Sequence, residues 1–489
     1  MSFNSLQFLV FFPVVAGLFF ALPHRARWVL LLAASWLFYG AWSPVYLLLL
    51  VFTSALDWYV AIRIEDAPSV QARRWWLGLS LVSNLGILFS FKYYNLVNDT
   101  AAALARVVAG VEWPVPRSDL LLPVGISFYT FQSLSYTIDV FRNELKAERR
   151  PGIFLLYVAY FPQLVAGPVE RASRLLPQLV RPVSFDWDRA ASGLRLVAWG
   201  MFKKVVVADR LAEVVQVVYS DPTEFGAAVH VLATYFFAYQ VYCDFSGYSD
   251  IAIGTARVLG VDLMTNFDQP YLSRSYSELW SRWHISMTTW FRDYVYLPLG
   301  GSRVSRARWV LNVFVVFGGS GLWHGAAWSY VSWGLVNGAF IVLERFTARP
   351  RAALVSLVRL DRAPALLSVV QWSLTFATWL FTLVFFRADS LRDALYIVTH
   401  LWRGWFVLLD PFEVGSILIR IKLDLMLLTY CVLLGPFVEL VDYGRRTPGW
   451  SERFAALPTV PRWALDWALI LATLLFGSFG EVPFIYFQF

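Results

Sequence analysis

Long apolar runs with few charges recur from one end of this 489-residue chain to the other. A helix needs about 20 such residues to cross the hydrocarbon core of a bilayer. Runs approaching that length occupy residues 6–22, 28–41, 45–62, 75–91, 120–140, 153–167, 194–207, 229–243, 309–321, 326–343, 366–386, 423–440 and 463–479. They are too numerous and too long to be core helices of a soluble protein. The expected fold is therefore an all-α polytopic integral membrane protein. We expect about 11–13 transmembrane helices, with the shorter runs as re-entrant or interfacial helices.

Composition agrees with that class. Only 15% of the residues are charged, whereas a soluble domain carries about 25%. Aromatic residues reach 18%, including 23 Trp, and Trp and Tyr are enriched where a ring sits between lipid and headgroup. The 41 basic residues outnumber the 34 acidic ones, but they lie in short loops between apolar runs and not along one stripe. That distribution excludes nucleic acid as a partner and reads as a topology signal. Arg25 and Arg27 follow the first run and Arg63, Arg73 and Arg74 follow the third, while the intervening Trp42-Ser43-Pro44 turn has no basic residue. The positive-inside rule then puts the N-terminus outside, on the periplasmic face of a bacterial inner membrane. The first run has no basic residue before it and reads as a retained span, not a cleaved signal. No long hydrophilic stretch is present, so any chemistry belongs to the membrane body or its faces.

Charged groups inside spans cost about 2.5–3.5 kcal/mol each near a helix centre, so each asks for an explanation. Three stretches stand out. Residues 239–250, YQVYCDFSGYSD, continue an apolar run with two carboxylates, Asp244 and Asp250. They read either as a polar network around a broken helix or, in preference, as the wall of a substrate cavity. Residues 276–303 read as an interfacial helix capped by Ser275 or Ser277 and ending before Pro298. On such a helix Trp280, His284, Thr288 and Phe291 share a face. In the third stretch, GGSGLWHGAAW at 318–328, His324 is set among small residues that let a backbone or ligand approach closely. A neutral imidazole, with an ordinary pKa near 6.5, can accept a proton there. For an arbitrary intramembrane histidine, a hydrogen-bonded core residue is as good a reading.

Other chemistries find no support. Cys243 and Cys431 are far apart and make no disulfide or metal pattern. His284 and His324 lack further ligands at zinc spacing, so no metal is expected. No nucleophile elbow, phosphate loop or dinucleotide fingerprint occurs. His24 and His400 lie in loop-like surroundings and His230 begins a run; all three read as non-catalytic.

At these residues the chain resembles the membrane-bound O-acyltransferase family, in particular its bacterial branch similar to alginate O-acetyltransferases. The matching stretches follow in family order. They are FNSLQFLVFFPVV at 3–15, LPVGISFYTFQSLSYTIDVFR at 122–142 and FPQLVAGPVERASRLLPQL at 161–179. They continue as YCDFSGYSDIAIG at 242–254, SRWHISMTTWFRDYVYLPLGGSR at 281–303, GLWHGAAWSYVSWG at 321–334 and the ending FIYFQF at 484–489.

The resemblance implies one membrane domain over residues 1–489, with N-terminal helices in 1–119, a core carrying the motifs in 120–345 and C-terminal helices in 346–489. It implies a central tunnel and acyl transfer to a hydroxyl, with His324 at the family's catalytic position and His284 at its second signature position. His324 would act as general base or carry the acyl group. His284, Asn312 or Trp indole N–H groups would orient the acceptor or stabilise the oxyanion. Asp244, Asp250, Trp280, Trp323 and Trp328 complete the expected substrate-binding set. No bound cofactor is expected; acetyl-CoA is the expected donor, an exported polysaccharide the acceptor, and periplasmic acetyltransferase-type proteins the partners. The same fold also suits peptidoglycan O-acetylation or D-alanyl transfer to teichoic acid. A transporter or channel for an acyl group is the reading from another class, though no two-fold hydropathy repeat accompanies it.

Overall fold

A computed structural model describes residues 1–165, 167–480 and 484–485. Residues 486–489, most of the FIYFQF ending, lie outside the described residues. Those described are largely helical, and no strand occurs among them. The chain forms two compact units, one of Met1–Val197 with Tyr248–Thr265, the other of Ala198–Gly247 with Asn266–Phe489.

In the first unit the helices Leu6–Ala21, His24–Gly40, Pro44–Asp66 and Val70–Leu88 follow one another through short turns. Helix starts are set by local chemistry: Ser5 accepts from the Phe8 N–H and Ser69 from the Ala72 N–H. The run at 120–140 is helical only over Ile126–Phe141, because Pro123 and the left-handed Gly125 delay its start. That helix is buried on nearly every face. The run at 153–167 likewise gives only the short helix Pro151–Ala159. Asp57 lies inside the apolar Pro44–Asp66 helix, yet it is not orphaned. Ser80 Oγ donates to its Oδ1 at 2.7 Å and Asn84 Nδ2 to its Oδ2 at 2.9 Å. A buried carboxylate in a span is tolerable only when satisfied in this way.

The second unit contains the hairpin of Arg306–His324 and Trp328–Phe346, then the long apolar helices Pro364–Arg387, Leu425–Arg446 and Thr459–Phe476. Among the described residues, four helices are long and apolar enough to cross a membrane: Pro44–Asp66 and these last three. Their outer faces are apolar too. Leu48, Leu425, Met426, Leu440, Leu474 and Leu475 are all exposed, and none of the spanning window of Thr459–Phe476 is buried. Apolar surface of that extent is matched by lipid.

Two expectations for the polar stretches are corrected. The helix Ala227–Val258 runs unbroken through residues 239–250. At about 3.6 residues per turn, positions six apart point about 120° apart, so Asp244 and Asp250 leave that helix in different directions. The stretch after Ser275 is instead broken. Tyr276–Arg282 and Ile285–Phe291 are separate helices, and His284 between them is left-handed at φ 44°. The common face of Trp280, His284, Thr288 and Phe291 therefore does not exist. The segment's apolar residues pack inward against the protein: Tyr276, Leu279, Trp280, Trp283, Met287 and Trp290 are all buried.

Candidate active site

The break at His284 is held from outside. The Ile285 N–H donates to the Asn266 carbonyl at 2.8 Å, and Ser286 Oγ donates to Asn266 Oδ1, also at 2.8 Å. These contacts satisfy the start of the second short helix, which has no cap of its own. A left-handed non-glycine residue costs on the order of 1–3 kcal/mol and persists where its surroundings fix it. Its effect here is to turn the His284 side chain inward, where it is 2% exposed.

His324 reaches the same place from the hairpin, as the last residue of Arg306–His324. The hairpin closes tightly because glycines face each other. A Cβ on Gly321 would lie 2.3 Å from the Tyr330 carbonyl oxygen, and one on Gly334 would lie 2.2 Å from that of Phe317. Only glycine permits this approach. The result seats the His324 ring 4.9 Å from Trp333, edge-on, with Trp323 at 4.9 Å and Phe386 at 5.4 Å.

The two imidazoles meet with ring centroids 6.4 Å apart. Phe245 closes on His284 at 4.5 Å, and Trp323 lies 5.7 Å from it. Both histidines are thus buried in an aromatic chamber from which bulk water is largely excluded. Trp333 Nε1, on the ring against His324, is buried and has no hydrogen-bond partner among the described residues. Buried donors are nearly always satisfied, and one left over beside an imidazole is suited to charge that appears only during a reaction.

The other expected site residues divide. Trp323 belongs to the chamber. Trp280 stands one layer back, packed on Trp333 at 5.8 Å and Phe317 at 5.1 Å. Trp328 is 52% exposed. Asn312 is remote from His324: twelve residues along one helix is about 18 Å. Its Nδ2 instead donates to the Leu299 and Gly301 carbonyls, both at 3.2 Å, fastening the glycine turn. Asp250 belongs to the first unit. Asp244 does not line the chamber with an open carboxylate. One oxygen lies 2.7 Å from Lys204 Nζ and the other accepts the Ile485 N–H at 2.6 Å.

Sequence reasoning missed a buried charged cluster in the same unit. Lys204 Nζ also lies 2.8 Å from Asp209 Oδ1. Lys203 Nζ donates to Ser246 Oγ at 3.0 Å and lies 3.8 Å from Asp442, which accepts from Tyr242 OH and Trp199 Nε1. The signal was present, since two adjacent lysines inside the apolar run 194–207 are as anomalous as a histidine in a span. Both lysines fall on the π-helical turn Lys203–Ala208, a geometry found often at functional sites.

Residues 80–387 match the model of the membrane-bound O-acyltransferase family. The chain is 37% identical over 450 residues to the probable alginate O-acetylase AlgI of Azotobacter vinelandii, covering 91% of this chain and 85% of that protein. It is 30% identical over 433 residues to a peptidoglycan O-acetyltransferase of Helicobacter pylori, covering 81% and 79%. A teichoic acid D-alanyltransferase of Streptococcus thermophilus is 25% identical over 284 residues, covering 53% and 67%.

Proposed function

The chain belongs to the membrane-bound O-acyltransferase family, and from that premise we propose that it moves acetyl from a cytoplasmic acetyl-CoA-type donor to hydroxyls of an exported, alginate-like polysaccharide. The observation that carries the site assignment is the buried pair of His284 and His324, 6.4 Å apart in an aromatic chamber. His324 accepts the proton of the acceptor hydroxyl as its oxygen attacks the thioester carbonyl. The tetrahedral intermediate then collapses, the C–S bond breaks, and the thiol leaves with a proton returned from the imidazolium. General-base assistance of this kind contributes about 10²–10⁴-fold. The carbonyl end of the Arg306–His324 helix carries partial negative charge, which favours the ring while it is positive.

His284 orients the attacking hydroxyl, and Trp333 Nε1–H supplies a hydrogen bond to the oxyanion. An aromatic enclosure keeps water from competing for the thioester. The N-terminus faces the periplasm in this reading, since the basic residues of the early loops favour the cytoplasm. Periplasmic acetyltransferase-type partner proteins then complete delivery to the polymer. Similarity to a probable alginate O-acetylase over most of both chains supports the polysaccharide acceptor. Similarity to a peptidoglycan O-acetyltransferase favours peptidoglycan as the second choice.

The test is His324→Ala in producing cells. Polymer acetylation is lost while the protein still accumulates, folded, in the membrane. Normal acetylation in that variant would sink the assignment. Acetate content of polysaccharide and of peptidoglycan from a deletion strain separates the two acceptors.

A further inference from the structure

The C-terminal segment is tied to one small region of the second unit at two points. Just past the helix Thr459–Phe476, the Ser478 N–H donates to the Val205 carbonyl at 2.8 Å, on the π-helical turn that carries Lys203 and Lys204. Further on, the Ile485 N–H donates to Asp244 Oδ2 at 2.6 Å. The other Asp244 oxygen lies 2.7 Å from Lys204 Nζ, itself 2.8 Å from Asp209 Oδ1. All three side chains are buried.

One cation between two buried carboxylates is a costly arrangement if stability is its only purpose, because each charge must be taken out of water. The arrangement leaves one carboxylate oxygen free to accept a backbone N–H. Charge-assisted bonds of that kind are roughly twice as strong as neutral ones. The residues on either side of this bond show its consequence. Phe484, next to Ile485, has its ring 5.9 Å from that of Phe245, next to Asp244. The Phe245 ring in turn lies 4.5 Å from His284, edge-on. A single helical turn thus grips the C-terminal segment with one residue and touches His284 with the next.

We propose that Asp244 is a positioning residue: oriented by Lys204 and Asp209, it fixes Ile485 so that Phe484 buttresses Phe245 against His284. It sets where the His284 ring stands opposite His324 and makes no contact with either substrate. This rests on the reading of the histidine pair as the reacting centre.

The experiment uses full-length enzyme in its membrane. It follows thiol release from acetyl-CoA with alginate oligosaccharides as acceptor, and hydrogen–deuterium exchange of the C-terminal peptide. Asp244→Ala speeds exchange at Ile485 and lowers kcat, each by about tenfold or more, the factor that corresponds to loss of one charged hydrogen bond. KM for donor and acceptor stays within roughly twofold. Asp244→Asn, which keeps an acceptor oxygen, recovers much of both. Phe484→Ala leaves the Ile485 amide protected but lowers kcat to a similar degree. A rise in acceptor KM at constant kcat in Asp244→Ala overturns the proposal, as does wild-type kcat in Phe484→Ala. If Asp244→Ala does not accumulate, Phe484→Ala decides alone. His324→Ala separates the two ideas: normal turnover there removes the histidine reading, whereas the exchange response to Asp244→Ala is independent of it.

Discussion

His324 closes a helix and His284 sits in the gap between two others, yet their rings come together with centroids 6.4 Å apart. Forty positions separate them in sequence. What joins them is a glycine-faced hairpin on one side and a left-handed residue on the other.

The first expectation concerns the division of labour in that pair. If His324 is the base and His284 the orienting group, His284→Ala lowers kcat by about 10²-fold, less than the loss in His324→Ala. His284→Asn, which can still hydrogen-bond a hydroxyl, recovers part of the rate. Parallel single-turnover measurements on the three variants check the order.

Trp333 offers a cleaner substitution. Trp333→Phe preserves an aromatic face against His324 but removes the buried N–H. An oxyanion donor is worth on the order of 10² in kcat, so a loss of that size at unchanged donor KM is expected. A variant with wild-type kcat would show that the indole only packs.

The hairpin itself can be tested by volume. Gly334→Ala forces a methyl group to within 2.2 Å of the Phe317 carbonyl oxygen, where backbone must move. Overpacking of this kind costs about 1–3 kcal/mol, and displacement of His324 should lower activity as well. Gly318→Ala on the facing helix of the hairpin meets only Leu335 Cδ2 at 3.4 Å and serves as the control. Thermal inactivation and thiol release on both variants measure the contrast.

A pH effect on stability is expected in the first unit, away from the histidines. Glu170 is buried beside Arg174 and accepts the Met264 N–H. Burial nevertheless pushes its carboxyl up to about 7. A group with a raised folded-state pKa binds more protons folded than unfolded between its ordinary value near 4.5 and that figure. Its contribution is therefore fully present below the ordinary value and is lost as pH rises through about 7. The melting temperature should be higher at pH 5.5 than at pH 8, with a smaller difference in Glu170→Gln. An unchanged difference in that variant would assign the pH dependence to other groups.

How much of this was legible depended on how far apart the interacting residues are. His324 was visible because a polar ring among glycines and alanines in an apolar run is locally anomalous. The Asp244–Asp250 stretch was equally visible, but its meaning was not. Periodicity says that two positions six apart diverge on a continuous helix, and only the structure shows that the helix is continuous. At 276–291 the opposite holds. An amphipathic pattern runs across His284, but contacts from Asn266 stabilise a break that local propensity does not encode.

Lys204 and the C-terminal segment mark the limit of such reading. Lys204 and Asp209 are close in sequence, but Ile485 lies more than two hundred residues from Asp244, and no local rule pairs a backbone amide with a carboxylate at that distance. By itself the sequence determined that the chain lives in lipid, that it is helical, and that His324 is an exception needing a reason. Hydrophobic transfer and helix periodicity are sums over neighbours along the chain. The tertiary structure decided that His284 and His324 come together, that Trp333 Nε1 finds no partner among the described residues, and what Asp244 holds. Those outcomes depend on close packing and directional hydrogen bonds between segments remote in sequence.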